Sequence, residues 1–442
     1  MMKSILWLLP AVVGLAAGCD ARVVEADLPD YYEEYLSARM PVVKEAAGQS
    51  SDCFFFWTDS HLEKNDGYAP EMIRYVGSRL KRFPKTFFGG DAIPAFTDDI
   101  TPFIDAYRSQ CGRVMECGRL YQVHGNHDFT FKYKPGGEGL TFDLDTTAAL
   151  LQSVMSPEGV VRNPDDPHSN YYYLDEPKAR IRYIVLDSSD SVKDTHIGFG
   201  LVDSVGPVQR RWIFSEAIMK APRAYSLIVL VHVPQLACST GGSTPEMEAA
   251  LGALATHRRY RVDGAEYRFD LRPDLKLLAV LAGHNHHDMQ MFKEGVLHIH
   301  TAADARYRDF RRDPYATLER RVSGTVDAQA IDWVCVSRRH DVLRLLRLGY
   351  GPDRIFHLEP IVLQPDESYQ VPIEAVRWDI YDTGSALKKK ENEKYAYYWD
   401  LSRQVASVDP AGRVTALAPG DATLLCEKAD GTREFYYICC SK

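Results

Sequence analysis

Five short apolar runs of this 442-residue chain are each followed by side chains that can bind a metal ion. Those side chains are Asp59 and His61, Asp91, Asn126 with His127 and Asp128, His232, and His284 with His286. Mixed oxygen and imidazole ligands suit Zn, Fe or Mn better than Ca, and the absence of cysteine from the set argues against a structural zinc site. One carboxylate can bridge two cations held about 3.5–4 Å apart for an in-line displacement. The set therefore predicts two divalent transition-metal ions (Mn, Fe or Zn).

The apolar runs predict buried strands, and the polar side chains follow their C-terminal ends. The runs are Cys53–Thr58, Thr86–Phe88, Leu120–Val123, Leu227–Val231 and Leu277–Leu281. Ligand sites of open α/β folds lie at that edge of a sheet. An aspartate after a strand is usually a turn or capping residue, and a histidine there is usually structural. That explanation must be invoked separately at each strand end, whereas a single metal site accounts for all five.

Segments with helical period lie between several of these runs. They are Glu71–Phe83, Asp98–Gln110, Pro207–Lys220 and Pro245–His257, and further strands are predicted at Arg182–Leu186, Val296–Thr301, Ile331–Val336 and Val342–Leu348. This alternation predicts an α/β layered architecture with a largely buried sheet. A helix rich in Tyr and Glu, interrupted at Pro41, is predicted over residues 29–47.

The motifs resemble, in order and rough spacing, those of the calcineurin-like metallophosphoesterases. They read Asp59-x-His61, Gly90-Asp91, Gly125-Asn126-His127-Asp128, His232 and Gly283-His284-x-His286. The resemblance implies a layered β-sandwich flanked by helices. It also implies a first metal on Asp59, His61 and His286, a second on Asn126, His232 and His284, and Asp91 bridging them. By the same resemblance, a metal-bridging hydroxide attacks phosphorus, His127 protonates the leaving alkoxide as general acid, and Asp128 orients or polarises His127.

Departures from named branches of that family leave the substrate open. Pro94 stands where purple acid phosphatases carry tyrosine, and His124 stands where Ser/Thr protein phosphatases carry arginine. The carboxyl-terminal domain of 5′-nucleotidases has no counterpart here. The expectation is a hydrolase acting on phosphate monoesters or diesters. The alternative is a surface adhesin or glycan-binding lipoprotein with a catalytically silent core, although none of the seven expected ligands is missing.

Other polar residues near the predicted site have two interpretations each. His287 can face substrate or solvent. Arg306 and Arg308 can hold phosphate oxygens or lie in a solvated turn. His298 and His300 share one face of a predicted strand, where a packed or hydrogen-bonded position is the default. His124 can be a ligand or a neighbour of one.

The first nineteen residues predict a signal peptide with a lipobox-like end. Lys3 precedes an apolar run from residue 5 to residue 17, which is shorter than the roughly 20 residues of a membrane-spanning helix. Leu-Ala-Ala-Gly-Cys19 resembles a bacterial lipoprotein box, with lipidation at Cys19. An ordinary signal peptide with a chance cysteine is the alternative. Of these two interpretations, lipidation is favoured. We therefore expect an exported protein that is held by a lipid anchor and faces the periplasm or the cell surface.

Three further units are predicted after residue 19. Residues 20–50 form a tether and the N-terminal helix, residues 51–363 the catalytic domain, and residues 366–442 a small β-sandwich. The last unit resembles bacterial immunoglobulin-like domains of group 2, through the stretch from Val405 that contains Val-Thr-Ala and Pro-Gly-Asp-Ala. Such modules are usually spacers or adhesive units, so a surface or glycan contact is the partner expected there.

Charge and cysteine content limit the remaining functions. The net charge is −9, from 61 acidic against 52 basic residues, which argues against nucleic acid as a partner. A small phosphorylated substrate stays compatible, since bound cations dominate the local field. Of nine cysteines, eight remain beside Cys19, and an even number permits disulfides. The pairs considered are Cys111 with Cys117, and Cys426 with Cys439 or Cys440, whereas Cys53, Cys238 and Cys335 are expected to be buried free thiols.

Overall fold

The computed structural model describes residues 25–93, 101–129, 144–166, 169–190, 205–235, 245–306, 321–381 and 402–441. The predicted signal peptide with Cys19, as well as Pro94, Cys238 and Arg308, lies outside these ranges. Within them, none of the helices combines the length and the apolar character that crossing a bilayer requires.

Helices occupy most of the segments in which helical period is found. In chain order the helices of the described residues are α1 (Asp30–Gly48), α2 (Ala69–Gly77), α3 (Thr101–Met115), α4 (Leu144–Ser153), α5 (Pro207–Trp212), α6 (Pro245–Ala255) and α7 (Ser402–Val405). A π-helical turn, Ile213–Ile218, continues α5. The interruption predicted at Pro41 is wrong, because α1 runs through this residue. Pro41 and Ser37, four residues earlier, are both exposed, so water can satisfy the carbonyl that loses its amide partner.

The strands of the described residues number twenty-one. They are β1 (Asp52–Trp57), β2 (Lys85–Phe88), β3 (Leu120–Gln122), β4 (Val161–Arg162), β5 (Tyr172–Glu176), β6 (Ile181–Val185), β7 (Ser226–Val231), β8 (Arg259–Val262), β9 (Ala265–Arg268), β10 (Lys276–Ala282), β11 (Met289–Lys293), β12 (Val296–His300), β13 (Ala330–Ser337), β14 (Val342–Gly349), β15 (Arg354–Leu363), β16 (Ser368–Gln370), β17 (Arg377–Tyr381), β18 (Ala406–Val408), β19 (Arg413–Ala416), β20 (Gly420–Glu427) and β21 (Arg433–Cys440). Every predicted strand is found, within two residues at each end.

Two mixed sheets form the body of the protein, which confirms the α/β class. The first has the order β17-β20-β21-β15-β14-β13-β1-β2-β3, and the second has the order β11-β12-β10-β7-β6-β5-β4. In the first sheet, β1, β2 and β3 are parallel neighbours. In the second, β6, β7, β10 and β12 are parallel. Each sheet therefore has one edge at which several carboxyl ends of strands meet.

Apolar side chains of the two sheets share one buried cluster. Phe54 and Phe87 of the first sheet lie edge-on or tilted against Tyr183 of the second, with ring centroids 5.3 and 5.1 Å apart. A second cluster joins the other face of the first sheet to α1, α2 and α3, and a third joins the second sheet to α5 and α6. The sheets thus lie between two layers of helices, and their packed faces bring the two sets of strand ends close together.

The C-terminal segment shares a sheet with the residues that precede it. Strand β21 pairs with β15 in parallel, and β20 and β17 follow it at the edge. Strands β16, β18 and β19 form a small separate sheet over another apolar cluster. The immunoglobulin-like identity of residues 366–442 stays a prediction. In the structure this segment extends the first sheet and contacts the second, since Phe292 N donates to Thr423 Oγ1 at 3.0 Å.

Candidate metal centre

The predicted ligands come together where the strand ends of the two sheets face each other. Asp59, Asp91 and Asn126 lie just beyond β1, β2 and β3, while His232 and His284 lie just beyond β7 and β10. The loop carrying Asp59 is held against its neighbour by backbone hydrogen bonds, because Asp59 N donates to Gly90 O at 2.8 Å and His61 N donates to Asp91 O at 3.1 Å. The convergence is thus fixed by the backbone as well as by the side chains.

Two overlapping groups of side chains can each hold a metal ion. The first consists of Asp59, His61, Asp91 and His286, the second of Asp91, His232 and His284. In each group the candidate ligand atoms lie within 4.8 Å of one another. Asp91 belongs to both, which is the arrangement that a bridging carboxylate requires.

Asn126 joins the second group through its amide oxygen. Asn126 Oδ1 lies 2.9 Å from His284 Nδ1 and 3.1 Å from His232 Nε2. This places all three of the predicted second-metal ligands around one point. A carbonyl oxygen among imidazole nitrogens is a donor set that a divalent transition metal accepts.

The contacts of Asp91 test whether the site suits cations. Its Oδ1 accepts a hydrogen bond from the backbone amide of His127 at 2.8 Å. Its Oδ2 is buried and accepts no hydrogen bond from the described residues, yet it lies 3.0 Å from His232 Nε2 and 3.9 Å from His61 Nε2. A buried carboxylate oxygen is costly unless a positive charge neutralises it, and here a metal ion or a proton on His232 Nε2 would supply that charge. The donor set therefore fits a pair of cations on either side of Asp91.

The histidine nitrogens have the orientation of ligands. His61 Nε2 and His286 Nε2 lie only 3.1 Å apart, so two lone pairs meet unless a proton or a cation lies between them. His232 donates its Nδ1 proton to the carbonyl oxygen of Gly89 at 2.7 Å, which leaves Nε2 facing Asp91 and Asn126. A second hydrogen bond of this kind is what normally fixes the tautomer of a metal-binding histidine.

Burial and neighbouring charges set the protonation states of the groups. Burial lowers the pKa of His61 well below its usual value and that of His284 to about 3, so both imidazoles are neutral at neutral pH. Burial would raise the pKa of Asp59, but His232 and His286 outweigh it and lower the pKa to about 2. Burial would also raise the pKa of Asp91, but His232 and His127 outweigh it and hold that pKa well below its usual value. Two ionised carboxylates in a buried site provide the negative charge that divalent cations need.

Five of the ligands occupy a strained backbone conformation. Asp59, His61, Asp91, His284 and His286 have φ values of 53°, 33°, 59°, 68° and 62°. Non-glycine residues avoid this left-handed region, and such strain is concentrated at functional sites. The surrounding structure must therefore hold these residues in place, and the ligand positions are largely preformed.

Two glycines let the ligand loops approach each other. A Cβ on Gly125 would lie 2.2 Å from Asp91 N and 2.3 Å from Asp91 Oδ1. A Cβ on Gly283 would lie 2.4 Å from Asp59 Oδ2. Both positions require glycine because a side chain there would displace a metal ligand.

The hydrogen bonds of Asp128 give it a part in positioning the ligand loops. Its carboxylate accepts hydrogen bonds from three backbone amides, those of Gly125 at 2.9 Å, Ala92 at 3.0 Å and Asp91 at 3.1 Å. These are its hydrogen bonds in the described part of the chain, and none involves the His127 imidazole. Asp128 therefore holds the loop of Asp91 against the loop of Asn126, and its predicted role in orienting or polarising His127 stays a prediction.

His127 lies on the open side of the centre. Its Nε2 is 3.9 Å from Asp91 Oδ2, and its ring meets that of His61 edge-on, with centroids 4.9 Å apart. Its side chain is 17% exposed, whereas those of Asp59 and His61 are fully buried. His127 thus has access both to the carboxylate shared by the two groups and to a molecule arriving from solvent.

The structure shows the contacts of the residues for which the sequence left two interpretations. His287 is buried and contacts Asn285 O through Nδ1 at 2.6 Å, and Asn285 in turn contacts His300 Nδ1 at 2.8 Å. The Arg306 guanidinium forms an ion pair with Asp66, so its charge is already engaged. His124 is buried against Asp187 at 3.0 Å and lies outside both ligand groups. His298 is likewise buried, as the packed-face interpretation predicts.

A buried ionic network beside the centre has no counterpart in the sequence prediction. Asp288, two residues after His286, accepts a hydrogen bond from Arg347 Nη2 at 2.7 Å, and Arg347 Nε donates to Asp332 at 3.0 Å. Arg354 Nη2 lies 3.1 Å from both Asp288 and Asp332. The sequence does carry one signal for this network, because charged residues interrupt otherwise apolar strands such as β14. Charged side chains are rarely buried without a partner, so charged residues in such strands indicate buried ion pairs. The network ties the ligand loop to the first sheet.

Comparison with known proteins gives little beyond these observations. No family model and no curated protein matches the chain. Among solved structures, the phosphopantetheinyl hydrolase PptH from Mycobacterium tuberculosis matches with a TM-score of 0.30 and 13% identity, over 62% of this chain and 97% of that one. GAP50, described as the anchor in the inner membrane complex of Plasmodium, matches with a TM-score of 0.33 and 11% identity, over 65% and 85%. Likeness at this level does not assign a function, and the buried Asp/His groups remain the feature that indicates metal chemistry.

Proposed function

We propose that this chain is a dinuclear metal-dependent phosphoesterase that hydrolyses phosphate monoesters or diesters. The observation that carries the proposal is the sharing of Asp91 between two groups of ligands. Asp59, His61 and His286 would complete the first ion's ligands, and Asn126, His232 and His284 those of the second. Two cations held in this way would supply positive charge to polarise a phosphoryl group and to activate water.

The exposure of each side chain indicates which residues would contact a substrate and which would exclude water. The half-buried side chains of Asn126, His127, His284 and His286 line the open side, where a phosphate ester can enter. The fully buried Asp59, His61 and His232 keep the inner side closed to water. His127, which lies next to the shared carboxylate, would donate a proton to the leaving oxygen. Arg306, already paired with Asp66, is a weaker candidate for holding phosphate oxygens, while a substrate contact by His287 or Arg308 stays a proposal.

The experiment is a parallel assay on metal-loaded protein. Elemental analysis after supply of Mn, Fe or Zn is combined with hydrolysis of p-nitrophenyl phosphate and bis-p-nitrophenyl phosphate, which separates monoesterase from diesterase. The wild type should hydrolyse at least one of the two in a metal-dependent manner, and Asp91→Ala should not. Asp270→Ala is the control, because this half-exposed carboxylate pairs with Arg259 and Arg268 and belongs to neither ligand group. Absence of hydrolysis in protein that holds both ions would favour the alternative of a silent core.

The location of the protein is part of the proposal. The apolar run over residues 5–17 and the small residues before Cys19 support export and lipid anchoring. Radioactive palmitate should label the wild type in a bacterial host and leave Cys19→Ser unlabelled. Labelling of both, or of neither, would contradict the anchor and leave the catalytic proposal untouched.

A further inference from the structure

Two cysteines that are 282 positions apart in the chain face each other in the first sheet. Cys53 on β1 lies directly opposite Cys335 on the antiparallel strand β13. The Cys53 thiol donates to Cys335 Sγ, with the two sulfur atoms 3.0 Å apart. Both are free thiols in this structure. The pair lies near the start of β1, whereas the candidate metal ligands follow the end of that strand.

We propose that Cys53 and Cys335 are a redox-modifiable pair that forms a disulfide when the protein meets a disulfide oxidant, and that this bond crosslinks β1 to β13. The oxidant is of the class of oxidised glutathione or of an exported dithiol–disulfide oxidoreductase. The inference does not depend on the proposed hydrolase activity.

The backbone geometry of the pair suits a disulfide. Residues directly opposite each other in antiparallel strands have Cα atoms about 4.5–5.5 Å apart. Disulfides span Cα separations of about 4.4–6.8 Å. Because the two sulfur atoms are already in contact, the bond requires no change in the register of β1 and β13.

The two thiols differ in exposure, which sets the order of the steps. Cys53 is half-buried and Cys335 is buried. Burial raises the pKa of the Cys335 thiol well above its usual value, although Arg344, opposite it on β14, partly offsets this. Cys53 is therefore the thiol that an oxidant reaches first.

The exchange balances in two steps. The Cys53 thiolate attacks the oxidant's disulfide, forming a mixed disulfide and releasing one thiolate of the oxidant. The Cys335 thiolate then attacks Cys53 Sγ and releases the second thiolate. Two cysteine thiols lose two electrons and two protons, and the oxidant is reduced to two thiols that take up those protons.

The bond would stabilise the folded chain, and it would lie on the strand that leads to the first candidate ligands. Strand β1 leads directly into Asp59 and His61, and it is a central strand of its sheet. A disulfide constrains the unfolded chain more strongly when the loop that it closes is longer. A loop of 282 positions is long, so the expected effect is a higher Tm for the oxidised protein.

The other cysteines of the described residues do not offer such a pair. Cys426 lies opposite Glu434, and Cys440 lies opposite Gly420. Five residues of strand separate Cys426 from Asp421, which lies opposite Cys439, and six separate it from Gly420. The separations are about 17 and 20 Å, so the predicted bridge from Cys426 to Cys439 or Cys440 is wrong. Cys111 is buried and accepts a hydrogen bond from Gln122, and it is a free thiol, as is Cys117.

The test is peptide mapping of the full chain after incubation with oxidised glutathione and alkylation without reduction. Trypsin releases Cys53 in residues 45–64 and Cys335 in residues 322–338. The expected product is these two peptides linked, and the link should disappear after treatment with dithiothreitol. Dithiothreitol should also lower the Tm of the oxidised wild type, on the order of 5 °C, and should leave the Tm of Cys53→Ala unchanged.

Cys111→Ala provides the matched control. It removes a buried thiol without a partner cysteine, so its Tm should keep the full response to dithiothreitol. Recovery of residues 45–64 and 322–338 as separately alkylated peptides after oxidation would overturn the proposal. So would a bond from either cysteine to another one.

Discussion

The carboxylate of Asp128 accepts a hydrogen bond from the backbone amide of Asp91, at 3.1 Å. With its bonds to Ala92 and Gly125, it fixes the loop that supplies the carboxylate shared by the two ligand groups. We expect Asp128→Ala to weaken metal retention by roughly 10- to 100-fold, as loss of an outer hydrogen-bond partner does. Titration of the metal-free variant with Mn²⁺ measures this. Unchanged affinity would show that the loop does not need Asp128.

His127 should act on the leaving group and not on the metal ions. His127→Ala is expected to lower kcat for an alkyl phosphate by roughly 100- to 10,000-fold. The loss should be much smaller for p-nitrophenyl phosphate, because p-nitrophenolate leaves without a proton. Asp128→Ala is the matched control, since loss of metal should reduce both rates equally. Equal losses for the two substrates in His127→Ala, with the metal retained, would contradict the general-acid role.

The Gly125 position tests how closely the ligand loops must approach. We expect Gly125→Ala to lose metal binding, because its Cβ would lie 2.2 Å from Asp91 N. Gly112→Ala is the control: Gly112 lies in α3, and an added Cβ there meets nothing within 4 Å. This control should keep its metal and gain slightly in stability, by about 1 kcal/mol. Metal binding by Gly125→Ala at wild-type affinity would mean that the loops can separate without harm.

Arg347 should matter for stability because it is fully buried among carboxylates. Arg347→Met removes a partner of Asp288 and Asp332 and leaves two carboxylates for which Arg354 is the remaining cation among the described residues. We expect the free energy of unfolding to fall by about 3–5 kcal/mol, measured by urea denaturation. Arg377→Met, at a half-exposed position on β17, should change it by less than about 1 kcal/mol. A similar small change in both variants would show that the network contributes little.

The attachment of β21 to β15 should depend on pH. Burial would raise the pKa of Glu434, but hydrogen bonds from His357 and Lys428 outweigh it and lower the pKa from 4.5 to about 2. His357 Nε2 on β15 lies 2.7 Å from Glu434 Oε2 on β21. Because the folded pKa is the lower one, this stabilisation is complete above about pH 4.5 and is lost as the pH falls towards 2.

Glu434→Gln should therefore be less stable than the wild type at neutral pH, and the difference should shrink as the pH is lowered through that window. Urea denaturation at a series of pH values measures it. Glu374→Gln, on an exposed stretch before β17, should show no such trend. A constant difference between Glu434→Gln and the wild type at every pH would contradict the assignment.

The strands, and the grouping of Asp and His side chains at their ends, could be predicted from sequence because each signal is local. A continuous apolar run such as Leu227–Val231 indicates a buried strand, and the residue after it, His232, lies by necessity at the strand's end. The run of helix through Pro41 could not be predicted in this way. It depends on which face of α1 is buried, and that is decided by packing against other elements.

Contacts between distant parts of the chain could not be predicted from the sequence either. Asp128 directly follows His127 in sequence, which suggested a role on that imidazole, and the bonds of its carboxylate to amides of the Asp91 loop are not visible in that pattern. The opposition of Cys53 and Cys335 follows from the register of β1 with β13, and no local pattern encodes a register. The same holds for the pairing of β21 with β15, which joins residues that the turn pattern assigned to a separate unit.

The most direct test is electron paramagnetic resonance of the protein loaded with Mn²⁺, with the bound metal counted in the same sample. Two ions per chain with an exchange-coupled spectrum are expected for the wild type, because Asp91 would hold them about 3.5–4 Å apart. Asp91→Asn should lose that coupling. One ion per chain, or two ions that give only the spectrum of isolated Mn²⁺, would contradict a centre bridged by Asp91.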